Sequence, residues 1–138
     1  MSLRHKSREF ALQMLFEWDM TRQEPARVES LFWKSARASA PTRKFADELF
    51  EGTVTEAGSI DVLVEKLAEN WRLDRLAAVD RSILRLAIYE LRIGSAPPKV
   101  VIDEALELAK KFSSAEAPAF LNGILDAAFK NLETKTPS

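Results

Sequence analysis

Apolar residues recur at intervals of three and four along almost the whole chain, and strict apolar–polar alternation is missing. That spacing is the period of a helix face rather than of a strand. It predicts seven helices. The first covers about 4–22, with Ala11, Leu15 and Trp18 on one face and Met14 beside them; Leu12 and Phe16 are expected to be only partly covered. A short second helix spans about 27–38 through Val28, Leu31, Phe32 and Ala36. The third runs about 42–57, opened by Pro41 at a position where a missing N–H costs nothing. Gly58-Ser59 reads as a stop followed by an N-cap. A fourth helix then covers about 60–71, with Ile60, Leu63, Val64, Leu67, Ala68 and Trp71 in phase.

The fifth helix, about 76–93, carries two adjoining apolar stripes, Val79-Ile83-Leu86 and Leu84-Ala87-Ile88-Leu91. A helix apolar over so much of its girth is packed by several neighbours, so it belongs at the centre. Gly94 and Pro97-Pro98 break the chain before a sixth helix over about 99–112. Ser113 and Glu116 have capping-box spacing, but Pro118 favours a later start, near 117, for a last helix that runs to about 132. Thr134–Ser138 is expected to fray. No linker divides the chain. The expectation is an all-α compact bundle of about seven helices forming one domain over 1–138.

Composition narrows the chemistry. At 138 residues, 46% apolar and 30% charged, the chain is an ordinary globular one. Cysteine is absent, which removes disulfides, thiolate nucleophiles and zinc–sulfur sites, and suits a reducing cytoplasm. No stretch has the length and apolarity of a membrane span, and Glu9, Gln13, Glu17 and Asp19 interrupt any signal-peptide core. A single histidine, His5, rules out a His pair for metal and leaves the usual nucleophiles without a base. Four dispersed glycines make no phosphate loop. Asp103, Glu104 and Glu107 cluster on the sixth helix, where a solvated face is the plain reading. No catalytic residue, metal ligand or cofactor is therefore expected.

A net charge of −1 gives no global attraction to nucleic acid, so binding would have to come from local cations. Arg4, His5, Lys6 and Arg8 fall within five positions, and Arg4, Arg8, Leu12 and Phe16 are spaced by four along one ridge. Cations ending in an aromatic are what single-stranded RNA uses, as phosphate holders and a stacking platform. A plain basic N-terminus with Phe16 in the core is the alternative.

Three stretches carry more than helix formation requires: Asp80–Leu91, Val100–Phe112 and Phe120–Asp126. With Arg8-Glu9 opening the first helix and Trp18 near its end, they resemble, in order and spacing, the NusB family of bacterial transcription antitermination factors. The resemblance is densest over 79–126 and thin over 24–58. It implies two three-helix subdomains and no catalysis. It further implies binding to the boxA element of ribosomal RNA operon transcripts together with NusE, a ribosomal protein. Assembly with other Nus factors on RNA polymerase would then suppress termination.

On this chain the resemblance assigns RNA phosphates to Arg4, His5, Lys6 and Arg8, although relatives often have a denser arginine run there. Phe16 would meet a base. Arg81 and Arg85 extend the basic track, or Arg85 forms an internal ion pair with a carboxylate of the sixth or seventh helix. Asp80 accepts from base edges or charges its helix start, with Glu116 near the same edge. Asn122-Gly123 implies close approach of a neighbouring helix, and Tyr89 and Glu90 serve packing or the protein partner. Two other classes remain open: a fragment of a ribosomal-RNA cytosine-5 methyltransferase with a NusB-like domain, and a helical adaptor that dimerises.

Overall fold

A computed structural model describes residues 3–68 and 76–135, apart from the side chains of 133–135. These residues form six helices and no strand: α1 Leu3–Thr21, α2 Pro25–Ser35, α3 Ala40–Leu67, α4 Ala78–Ile93, α5 Pro98–Phe112 and α6 Ala117–Lys135. The all-α expectation holds. The expected break at Gly58-Ser59 does not exist, because α3 passes straight through it. The physical reason is phase. Phe50, Thr53, Ala57, Ile60 and Val64 are all buried and continue one stripe at steps of three and four across the glycine. Packing of that stripe outweighs a helix penalty of ~1 kcal/mol for one glycine. Ser59 caps nothing; its hydroxyl donates back to the Glu56 carbonyl at 3.1 Å. Trp71 lies outside the described residues.

The remaining boundaries follow local chemistry. Ser39 caps α3, its Oγ accepting from the Thr42 N–H at 3.3 Å, and Pro41 sits in the first turn. Gly94 closes α4 in the left-handed conformation at φ 64°, which favours glycine. The later start of α6, at Ala117, is the one adopted.

Helix α4 packs against α1, α3, α5 and α6, and α1 lies along both α3 and α4. Ile83, Leu84 and Ile88 of α4 are completely buried, together with Met14, Phe50 and Ile60. Each such side chain contributes about 1.5–3 kcal/mol through burial. Leu12 is buried too, at 2% exposure, contrary to the partial covering expected of it. Leu31, one of the apolar residues that marked the second helix, is 43% exposed.

A neighbouring helix comes close at a different glycine from the one expected, and with a side chain. Gly123 is exposed and a Cβ there would touch nothing, whereas a Cβ on Gly52 of α3 would collide with the Tyr89 ring of α4. Gly52 therefore lets the tyrosine lie against α3. Among the described residues no helix is long and apolar enough to cross a membrane.

Candidate nucleic-acid interface

The cations read from the sequence divide into two groups once they are placed. Arg8 points inward from α1 and is 3% exposed. Its Nε donates to both oxygens of Glu90 at 3.1 and 2.8 Å, and its second guanidinium nitrogen donates to Oε1 at 2.9 Å. The Ser95 hydroxyl adds a 2.6 Å bond to the same carboxylate. This two-pronged pair joins α1 to α4, so the guanidinium is not presented to solvent. Glu90, read as a packing or partner residue, is its counter-charge.

Arg81 and Arg85 are also engaged. Arg85 donates to Asp61 through two nitrogens, both at 2.8 Å, and to Asp19 at 2.7 Å. Arg81 donates to Asp19 and to the Leu76 carbonyl, the latter at 2.9 Å. Arg85 thus does form an internal ion pair, but its partners come from α1 and α3, not from the last two helices. Burial works against the Asp19 charge, yet Arg81 and Arg85 hold its carboxyl below the usual range. Burial likewise opposes the Arg85 charge, and Asp61 and Asp19 overcome it, raising its pKa.

His5 lies between two carboxylates. Its Nδ1 is 2.6 Å from Glu104 of α5 and its Nε2 is 3.2 Å from Glu9. Glu9 is itself buried and accepts from Lys111 at 2.9 Å. Burial works against the Glu9 charge, but Lys111, His5 and Lys6 hold its pKa below the ordinary value. Glu104 therefore faces α1, while Asp103 and Glu107 keep to the solvated side.

The second group faces out. Arg4 is exposed, with its guanidinium 4.4 Å from the centre of the Phe45 ring. Lys6 is half exposed, 3.7 Å from Glu9 and 5.3 Å from the Phe10 ring centre. Phe16 is partly buried. It lines a cleft of about 470 Å³ with Leu12, Leu31, Phe32, Val79 and Phe112. Asp80 and Glu116 do come together, in a cleft of about 260 Å³ shared with Phe120. Asp80 stands in the first turn of α4 and accepts from the Ser113 hydroxyl at 2.5 Å. Arg4 and Lys6 therefore lie at the opening of α1, and the apolar cleft and acidic edge near the start of α4.

This is a scaffold with buried ion pairs between helices and clefts between their exposed faces. The NusB family model matches residues 5–130. The chain belongs to the NusB family. Among relatives, the transcription antitermination protein NusB of Koribacter versatilis (strain Ellin345) is 46% identical over 134 residues, covering 96% of this chain and 92% of its own length. The NusB structure from T. maritima superposes with a TM-score of 0.83 at 32% identity, covering 92% of this chain and 90% of that one. A structure of antitermination factors NusB and NusE in complex with double-stranded RNA gives 0.84 at 28% identity, covering 95% and 98%.

The expectation counted cations but not their partners. Asp19, Asp61, Glu90 and Glu104 were missed as a set, and each lies on a different helix from the cation it holds. Phe112 and Phe120 were legible only as ends of the stretches Val100–Phe112 and Phe120–Asp126.

Proposed function

We propose that this chain is a transcription antitermination factor. In this reading it binds boxA-type single-stranded RNA of ribosomal RNA operon transcripts jointly with NusE. It then joins other Nus factors on RNA polymerase, acting in the cytoplasm and without catalysing a reaction. The observation that carries the reading is near-full-length kinship with NusB proteins, one of them solved with NusE and RNA. The chain acts as one domain over 1–138, with α1–α3 and α4–α6 as its two three-helix halves.

The placement of side chains refines the roles. Arg4 and Lys6 hold phosphates, Phe16 offers a ring at its cleft, and Asp80 with Glu116 supplies an acceptor edge. Arg8, Arg81 and Arg85 act through the scaffold, and His5 shapes the opening of α1 from within. Joint binding implies reciprocity: whatever factor NusE adds to RNA affinity, RNA adds to NusE affinity.

A titration of boxA RNA with and without NusE, at two salt concentrations, tests the reading. RNA binding should tighten with NusE and weaken with salt. An absence of RNA binding both with and without NusE would overturn it. Gel filtration with and without RNA separates it from the rival in which the chain is a dimerising helical adaptor.

A further inference from the structure

The cations of the later helices and those of the first three differ in how closely carboxylates meet them. Each lysine and arginine between 76 and 132 has a carboxylate within 4.0 Å: Arg81, Arg85, Arg92, Lys99, Lys110, Lys111 and Lys130. Across α1, α2 and α3 this neutralisation is incomplete. Arg4, Arg27, Lys34, Arg37, Lys44 and Lys66 are exposed and have no carboxylate within that distance among the described residues; four of them, Arg4, Lys34, Arg37 and Lys44, lie around the starts of α1 and α3, where Arg43 meets Asp47 only at the 4.0 Å limit.

These cations are neighbours. The Ser7 hydroxyl donates to the Thr42 carbonyl at 2.8 Å, which ties the first turns of α1 and α3 together. Arg4 and Lys44 line one open cleft of about 310 Å³ with Phe45. Arg43, next along α3, lies 5.2 Å from the Trp33 ring centre and shares a second cleft with Lys34 of α2. Arg37 stands two residues before the Ser39 cap.

The arrangement works against the helices that carry it. Neither α1 nor α3 has an acidic residue in its first turn. Arg4 and Lys6 near the start of α1, and Arg43 and Lys44 near the start of α3, instead add positive charge where the helix dipoles are already positive. Carboxylates do lie nearby, at Glu48 beside Lys44 and at Glu29, Asp47 and Glu51 beside Arg43. Burial, Glu51 and Asp47 push the Glu29 carboxyl up to about 8, so it is largely uncharged at neutral pH and offsets little of the field. Two like-charged helix starts, drawn together and only partly offset by these carboxylates, fit an anion that arrives from outside. Aromatic rings at Phe45 and Trp33 beside the cations suit a strand whose bases are unpaired.

We propose that the start of α3 and the end of α2 hold RNA phosphates, with Lys44, Arg43, Lys34 and Arg37 extending the basic opening of α1 into one track for a single strand. The proposal rests on the RNA-binding function proposed above, and adds a second, sequence-independent anchor away from the acidic edge at Asp80 and Glu116.

The test compares three proteins in the presence of NusE: the unaltered chain, the variant Lys34→Gln/Arg37→Gln/Lys44→Gln, and the charge-matched control Lys99→Gln/Lys110→Gln/Lys130→Gln. A labelled single-stranded RNA of about twenty nucleotides carrying boxA is titrated at low salt and at fourfold higher salt. Each phosphate contact contributes about 0.7 to the slope of log affinity against log salt. The track variant should bind about tenfold or more weakly at low salt. Its further loss over the fourfold salt range should be roughly eighteen-fold smaller than that of the unaltered chain. The control should behave like the unaltered chain. Lys44→Glu gives the same readout from one exposed substitution, with circular dichroism confirming the fold. A track variant that matches the unaltered chain at both salts overturns the track and leaves the proposed function standing. Equal weakening of the control overturns it as well, by making net charge the cause. If the unaltered chain binds no RNA, both fall.

Discussion

Replacing Arg8 by alanine separates a structural arginine from an RNA-binding one. The side chain is 3% exposed and its partner Glu90 is 2% exposed, joined by three nitrogen–oxygen contacts between 2.8 and 3.1 Å. After truncation Glu90 keeps the Ser95 hydroxyl as its remaining close donor, at 2.6 Å. An unpaired carboxylate in the interior costs about 3–5 kcal/mol. Against a total stability of roughly 5–15 kcal/mol, that is a large share. With a urea slope of about 2 kcal/mol per molar, the midpoint should fall by roughly 2 M. Replacing both partners by apolar residues of similar volume, Arg8→Met with Glu90→Leu, should restore most of the loss, because no charge is then stranded. Urea unfolding followed by circular dichroism measures all three variants. RNA affinity of folded Arg8→Ala, read well below its midpoint, should stay within about twofold of the unaltered chain. An unchanged midpoint with RNA binding lost would refute the reasoning, since the guanidinium would then be facing RNA.

Other expectations follow from the same contacts. Asp19→Asn removes the carboxylate shared by Arg81 and Arg85 and should cost about 3 kcal/mol in chemical denaturation at neutral pH. The depressed pKa of Asp19 means that its contribution is present above the ordinary carboxylate range and is lost as pH falls through the folded value, so the variant should show a weaker acid dependence. Glu29 has the opposite sign. Its folded pKa of about 8 lies above the ordinary 4.5, so the native state holds an extra proton between them and stability declines as pH rises through that window. Glu29→Gln should flatten that decline in urea titrations run from pH 5 to 9, and an unaltered slope would count against the buried acid. Gly52→Ala should destabilise by about 1–3 kcal/mol through its clash with Tyr89, and Tyr89→Ala in the same chain should relieve the clash, giving a positive coupling in a double-mutant cycle.

Helix placement was legible because it depends on neighbours in sequence. The two stripes of α4 announced a central helix, and Pro118 located the start of α6. The length of α3 was not legible from Gly58-Ser59, since a local stop signal competes with a tertiary one: the stripe from Phe50 to Val64 keeps its phase and the core accepts it whole. The electrostatics were less legible for a related reason. Arg8 meets a residue 82 positions away, and Arg85 meets one 66 away. A run of cations in the sequence contains no statement of which will be claimed by distant carboxylates. The aromatic at Phe16 was rightly singled out as incompletely covered, whereas Leu12 on the same ridge was not, because α1 turns that residue into the core.

The unbroken course of α3 has a mechanical side. Its 28 residues make a rod of about 42 Å, with Lys44 near one tip and Asp61 near the other, roughly 25 Å apart along the axis. A pair of helices hinged at Gly58 would absorb a tilt at the basic tip; a stiff lever delivers it to the Asp61–Arg85 clasp and, through Arg85, to Asp19 of α1.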